Sequence, residues 1–246
     1  VEDVSNLGSY VNSSNQNPAD VLYDYLRTYK GLAQSDIDTD SFASAKTYCS
    51  TRYEINGLLS TEDTLIDNVE KITSACNGML IFHNGKYKLK IKGNEASATR
   101  TFNTENILSD VTLGLTDIKN RLNKITVNYA NDSADVKFND DVAIRENATY
   151  KTEDANRTLE AQVDFELITD TTLAETMGDF LLDDSRNNMM INFEAAHTEF
   201  GVEAGELVKV TLDDYGFDEK LFRVVQTELT PENTINIVAQ EYNAGI

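Results

Sequence analysis

Strand-length segments with alternating apolar residues recur seven times between residues 111 and 241, and only one stretch among them reads as helix. The segments are Val111–Leu115, Lys124–Tyr129, Leu159–Phe165, Met189–Ala195, Leu207–Leu212, Lys220–Glu228 and Thr234–Glu241. Alternation such as Ile125, Val127, Tyr129 or Ile235, Ile237, Ala239 puts one row of side chains on a core and the other outward. Strands this short bury little alone and must pair. The helical stretch starts at Asp170 or Thr171 and carries Leu173, Met177, Phe180 and Leu181 towards Asn187-Asn188. The pattern predicts a barrel or closed sandwich, with the helix plugging a side or an open edge.

The first hundred residues read differently. Residues 1–16 are polar with one weak strand, as expected of a linker or an upstream strand. Asn17 and Pro18 suit an N-cap and first helical turn, followed by Val21, Leu22, Tyr25, Leu26 and Tyr29 at helical spacing and a stop at Gly31. A second helix is expected over Ser41–Cys49 with Phe42, Ala45 and Cys49 inward, then a strand over Tyr53–Leu59. A third helix, capped by Ser60 or Thr61, carries Leu65, Val69, Ile72 and Cys76. MLIFH, Asn84-Gly85 and KYKLKI form a β-hairpin pattern with a type I′ turn. The Gly/Asn/Ser-rich stretch 93–99 marks a boundary. The expected fold class is α+β: a small α/β domain (17–98) closed by a hairpin, then an antiparallel β-barrel domain (99–246) with one packed helix near 170–187.

The chain carries 42 Asp/Glu and 21 Lys/Arg, a net charge of −21. Residues 101–246 hold 29 acidic against 11 basic side chains (−18), and residues 1–100 hold 13 against 10 (−3). An acidic surface cannot neutralise phosphates, which argues against ordinary nucleic-acid binding. It suits solubility, or the passage of a polyanion that must not stick. No apolar run approaches the ~20 residues of a membrane-spanning helix. A chain starting at Val1 is expected to be a piece of a longer protein. Cys49 and Cys76 are expected to be two buried thiols, a disulfide being the alternative.

Catalytic patterns fail on inspection. DIDTD (Asp36, Asp38, Asp40) begins like a calcium loop, but Ser41 and Thr47 stand where glycine and glutamate are required, so helix capping is expected. The doublets Asp140-Asp141, Asp183-Asp184 and Asp213-Asp214 tempt a glycosidase reading, yet neighbours on a strand face opposite ways. His83 and His197 with two cysteines lack zinc spacing. Sequons at Asn12, Asn131, Asn147 and Asn156 are ordinary for an Asn/Thr-rich chain. One basic stripe remains: Lys86, Lys88, Lys90 and Lys92 alternate with Tyr87, Leu89 and Ile91. It is either a solvated face or a contact for an acidic neighbour such as another copy.

NPADVLYDYL, SFASAKTYC, RYEINGLL and SACNGMLIFHNGKYKLKI, in that order, resemble the central region of J-type tail tip-attachment proteins, the hub proteins of siphophages and prophages. LTDIKNRLNKITVNYAN, MMINFEAA, GVEAGELVKVT, KLFRVVQTEL and TINIVAQEY are similar to the following domain of the same family, so the likeness spans about residues 17–242. The resemblance implies a structural role in a virion tail tip assembled in the host cytoplasm. Three copies would ring the DNA exit channel as a homotrimer, joining tail-tube and tail-tip proteins to distal receptor-binding parts that this chain lacks. DNA would pass without being specifically bound. The family brings no catalytic residues, and no cofactor or metal is expected. A tail-associated cell-wall or glycan hydrolase, and a carbohydrate- or receptor-binding β-module, are the alternatives.

Overall fold

Helix caps and turn residues set the first elements in the computed structural model, which describes residues 15–98, 100–115, 120–132, 139–187 and 189–243. Helix α1 (Pro18–Asp24) begins at Asn17, whose side chain accepts from Ala19 N–H. The chain then widens into a π turn at Tyr25–Tyr29, closed by Lys30 N–H to the Tyr25 carbonyl (3.2 Å). That turn leaves Tyr29, expected on the inner stripe, 70% exposed. Helix α2 (Thr39–Cys49) is capped by Asp38 and buries Phe42, Ala45 and Cys49. Helix α3 (Leu65–Ser74) starts later than Ser60 or Thr61 because Thr64 and Asp67 form a reciprocal capping box.

No strand forms over Tyr53–Leu59. Ile55 N–H instead donates to the Gln16 carbonyl and Asn56 N–H to the Leu167 carbonyl, both 2.9 Å. Gly57 (φ +147°) passes so close to Leu167 that a Cβ would lie 2.9 Å from its Cδ2. Strands β1 (Gly78–His83) and β2 (Lys86–Ile91) form the expected hairpin, with Asn84 and Gly85 at φ +51° and +77°, the type I′ combination. It is stitched to α2 by Leu89 N–H to Ser41 Oγ.

The remaining strands are β3 (Arg100–Phe102), β4 (Thr112–Leu115), β5 (Lys124–Asn131), β6 (Asn139–Glu146), β7 (Glu160–Phe165), β8 (Met189–Ala195), β9 (Leu207–Leu212), β10 (Phe217–Leu229) and β11 (Ile235–Glu241). They make two sheets. β5 lies between antiparallel β6 and parallel β7. The other sheet runs β3-β9-β10-β11-β8-β4, antiparallel except for β3 on β9. Its core holds Phe102, Ile191, Phe193, Val208, Val210, Phe222, Val224 and Ile237. The α+β class stands. The barrel is not closed by strand pairing among the described residues, because β3 and β4 each pair on one side only.

The compact units also depart from a single cut near 99. One comprises Val1–Asn94 with Asn123–Leu181, and the other Glu95–Leu122 with Leu182–Ile246. The stretch 93–99 does contain a crossing, but β5, β6, β7, helix α4 (Ala148–Glu153) and most of helix α5 (Thr171–Asp184) return to the first unit. Helix α5 therefore packs on the three-stranded sheet rather than plugging the larger one. Gly178 permits the approach, since a Cβ there would lie 3.3 Å from methyls of Ile125 and Val127.

Polar side chains fix the chain where it changes units. In the first unit Asn123 is fully buried, donates to Asp154 and the Arg157 carbonyl (2.8 Å each), and accepts from Leu159 N–H. In the second, Arg223 on β10 donates to Glu95 (Nε–Oε1 2.7 Å), with side chains 7% and 5% exposed. Asp184 lies 4.0 Å from the same guanidinium, and the Tyr242 ring 5.0 Å. Arg223→Ala strands the Glu95 carboxylate, and a loss of roughly 3–5 kcal/mol is expected in denaturant unfolding. The Arg223→Met, Glu95→Gln double variant should recover most of it; a double variant as unstable as the single would show that the pairing is not what matters.

Candidate functional site

At one end of the three-stranded sheet, β5, β6 and β7 enclose a concavity of ≈ 660 Å³ that gathers Asp140, Asp141, Asp164 and Glu166 around Asn128, Tyr129 and Val142. Three of these carboxylates are committed within the fold. Asp141 accepts from Asn131 Nδ2 (2.8 Å), the Tyr129 hydroxyl (3.1 Å) and the Val142 N–H (2.8 Å). Tyr129 also shares a 2.7 Å hydrogen bond with Thr171 Oγ1 at the start of α5. Asp164 accepts from Asn128 Nδ2, and Glu166 pairs with Lys71 at 2.6 Å. The Asn131 amide, then the Val142 N–H and Tyr129 hydroxyl, hold the Asp141 pKa below its ordinary value. A glycosidase acid needs the opposite displacement. Burial pushes the Tyr129 hydroxyl up, keeping it a neutral donor. The cleft thus reads as a polar latch between sheet and helix.

The other sequence candidates scatter. Asp38 caps α2 as expected. Asp183 and Asp184 close α5, and Asp213 and Asp214 occupy a turn after β9. His197 is exposed beside Phe200, far in sequence and element from His83 on β1. Among the described residues no group of three or more His, Cys, Asp or Glu is placed to hold a metal ion. No described helix is long and apolar enough to cross a membrane.

On β2, Lys86 is exposed, while Lys88 and Lys90 and the following Lys92 are half-buried with contacts of their own in the chain. Lys92 Nζ stands 5.9 Å from the Phe180 ring centre. Register places His83, Ile81 and Met79 opposite Lys86, Lys88 and Lys90. The basic stripe therefore borders an apolar one, which reading β2 alone did not show.

Two uncovered apolar surfaces escaped the sequence reading. β4 ends the six-stranded sheet with all four residues exposed, Leu115 at 76%. β6, not foreseen as a strand, ends the smaller sheet and exposes Val142 and Ile144. Its sequence, NDDVAIRE, is polar enough to pass for a loop.

The described surface thus offers end strands bearing apolar side chains, and carboxylates held within the fold. Comparison with known proteins gives a class. No family model matches the chain. It is 24% identical over 193 residues to the baseplate hub protein pb3 of Escherichia phage T5, covering 78% of this chain and 20% of that protein. The chain thus spans about a fifth of the length of that relative. In solved structures it shares its fold with a chain of the virion of a native gene transfer agent particle (TM-score 0.71, 12% identity, 92% of this chain and 47% of that one). The fold also matches the 43 kDa tail protein of prophage MuSo2 from Shewanella oneidensis (TM-score 0.58, 12% identity, 94% and 67%). The likeness lies with phage tail and baseplate structural proteins.

Three carboxylates held below their ordinary pKa set an acid limit to the fold: Asp141 by Asn131, Asp67 by Thr64, and Glu146 by Lys151. A lowered folded-state pKa stabilises above the unfolded value, about 4, and that stability is lost as pH falls through the folded value. In Asp141→Asn, acid unfolding below about pH 4 should become shallower and stability at pH 7 should drop. An unchanged acid limb in a pH series of thermal melts would remove Asp141 from this role.

Proposed function

We propose that this chain is a structural subunit of a phage tail tip, a hub piece of the tip-attachment kind. Three copies surround the DNA exit channel and link the tail tube to distal receptor-binding parts. The observation that carries this reading is the similarity to a baseplate hub protein over 78% of the chain. The fold likeness to tail and particle proteins supports it. So does β4, whose four residues are exposed and which pairs on one side only among the described residues, since an apolar end strand calls for a neighbour. The linker expected over residues 1–16 falls almost wholly outside the described residues; Lys86, with Lys88, Lys90 and Lys92 behind it, offers contact to an acidic neighbour.

Charge fits such a channel in a way that the halves of the sequence concealed. The first unit carries 25 Asp/Glu and 14 Lys/Arg (−11), and the second 17 and 7 (−10). Both units are acidic, so either can present a surface that repels a passing DNA backbone. Self-association must overcome the mutual repulsion of chains at −21 each. That repulsion outweighs attraction at a four-lysine stripe, so screening helps assembly. Raising ionic strength from about 0.01 M to about 1 M shortens the Debye length from about 30 Å to about 3 Å. Sedimentation equilibrium should show the trimer fraction rising with concentration and with salt. Self-association that falls as salt rises contradicts the repulsion argument, and a chain that stays monomeric at the highest of both contradicts trimer formation by this chain alone.

A further inference from the structure

Asn-Gly is the pair in which a backbone nitrogen most easily reaches the preceding side-chain amide, because glycine puts no side chain in the way. It occurs three times, at Asn56-Gly57, Asn77-Gly78 and Asn84-Gly85. The fold holds two of these asparagines and leaves the third free. Asn56 is half-buried; its N–H donates to the Leu167 carbonyl (2.9 Å) and its Nδ2 to Asp132 Oδ2 (3.4 Å). Asn77 is also half-buried. Its Nδ2 lies 3.4 Å from both the Tyr53 hydroxyl and Met177 Sδ, and its carbonyl accepts from Lys92 N–H (2.9 Å) at the end of the hairpin ladder. Asn84 and Gly85 are both exposed, and the register closes on His83 and Lys86, so the ladder uses neither. Among the described residues no hydrogen bond holds the Asn84 side chain or the Gly85 N–H. The space around Gly85 is open, with nothing within 4 Å of where a Cβ would stand.

We propose that Asn84-Gly85 is a modification site, at which the native chain deamidates selectively with water as the reagent. The Gly85 nitrogen, giving its proton to hydroxide, attacks the side-chain carbonyl carbon of Asn84. A C–N bond forms, the Cγ–Nδ2 bond breaks, and the departing amide nitrogen takes a proton from water and leaves as ammonia. Water then opens the five-membered imide. Cleavage at the side-chain carbonyl gives aspartate, and cleavage at the main-chain carbonyl gives isoaspartate; nothing is oxidised or reduced. Either product places a carboxylate beside the exposed Lys86. Aspartate tolerates the φ of +51° that the turn needs, as asparagine does. Isoaspartate adds a methylene to the backbone of a two-residue loop, whose length sets the register of β1 on β2. Asn56 and Asn77 are guarded, because their amide carbons can swing to the next nitrogen only after their hydrogen bonds open locally.

The test is to hold native chain, and chain unfolded in denaturant, in mildly alkaline buffer made with heavy-oxygen water, and to map peptides by mass over time. The heavy oxygen separates events of the incubation from those of the digestion. In the native chain the label should appear at Asn84, with Asn56 and Asn77 slower by roughly tenfold or more because they wait on local opening. In denaturant that difference should vanish. The isoaspartate form, separated by ion exchange, should melt below the unmodified chain. Asn84→Gly keeps a glycine pair suited to a type I′ turn and should stay uniform in charge while the parent chain splits. Equal rates at the three sites in the native chain overturn the proposal. So does a native Asn84 that keeps its amide while the same residue reacts in the unfolded chain.

Discussion

The buried ion pair of Arg223 with Glu95 is the interaction on which the order of the second unit depends. Its chain enters and leaves through three crossings, at 94/95, 122/123 and 181/182, and the residues beside them need fixed positions. Arg223 holds Glu95 and lies near Asp184, next to two of the crossings. Ser185 and Arg186 secure Leu122 next to the third. Apolar burial is non-directional and tolerates slippage; a satisfied buried charge does not. The first unit uses a comparable device built on an amide, where Asn123 satisfies Asp154, the Arg157 carbonyl and Leu159 N–H together.

This threading changes what the charge means. By sequence halves the chain looks like a near-neutral domain followed by an acidic one. By compact units the charge is shared almost equally, because the acidic segment 123–181 folds back onto the first. The carboxylates of the sheet cleft illustrate a further point. Asp141, Asp164 and Glu166 look like reagents in a list of residues, yet each is held by an amide, a hydroxyl or an ammonium of the same unit. Apolar side chains at the sheet ends stay exposed as well, Leu113 and Leu115 on β4 and Val142 and Ile144 on β6.

Local chemistry was legible in the sequence; long-range pairing was not. Asn17, Asp38 and Asn84-Gly85 set a cap, a cap and a turn because each effect acts within a few residues. Seven strands were foreseen close to their observed bounds, since period-two burial is written into Ile125, Val127 and Tyr129 and their counterparts. Partner choice is not so written. That β5 pairs with β6 and parallel β7, and not with the six-stranded set, depends on α5 covering it through Gly178. β6 was missed because NDDVAIRE presents Val142 and Ile144 outward, reversing the usual signal. The segment Tyr53–Leu59 was misread because Gly57 lets it run against Leu167 without a strand partner. No pattern in the sequence marked Asn123 or Arg223, whose importance lies in where the chain turns back.

The most direct measurement is a cryo-electron-microscopy map of assembled tails containing the full-length protein, with this chain placed in it. A structural hub piece is expected as three equivalent copies around the channel at the distal end, with β4 of each copy covered by a neighbour. Density for the chain elsewhere in the particle, or three copies with β4 facing open solvent, would contradict the role assigned to it.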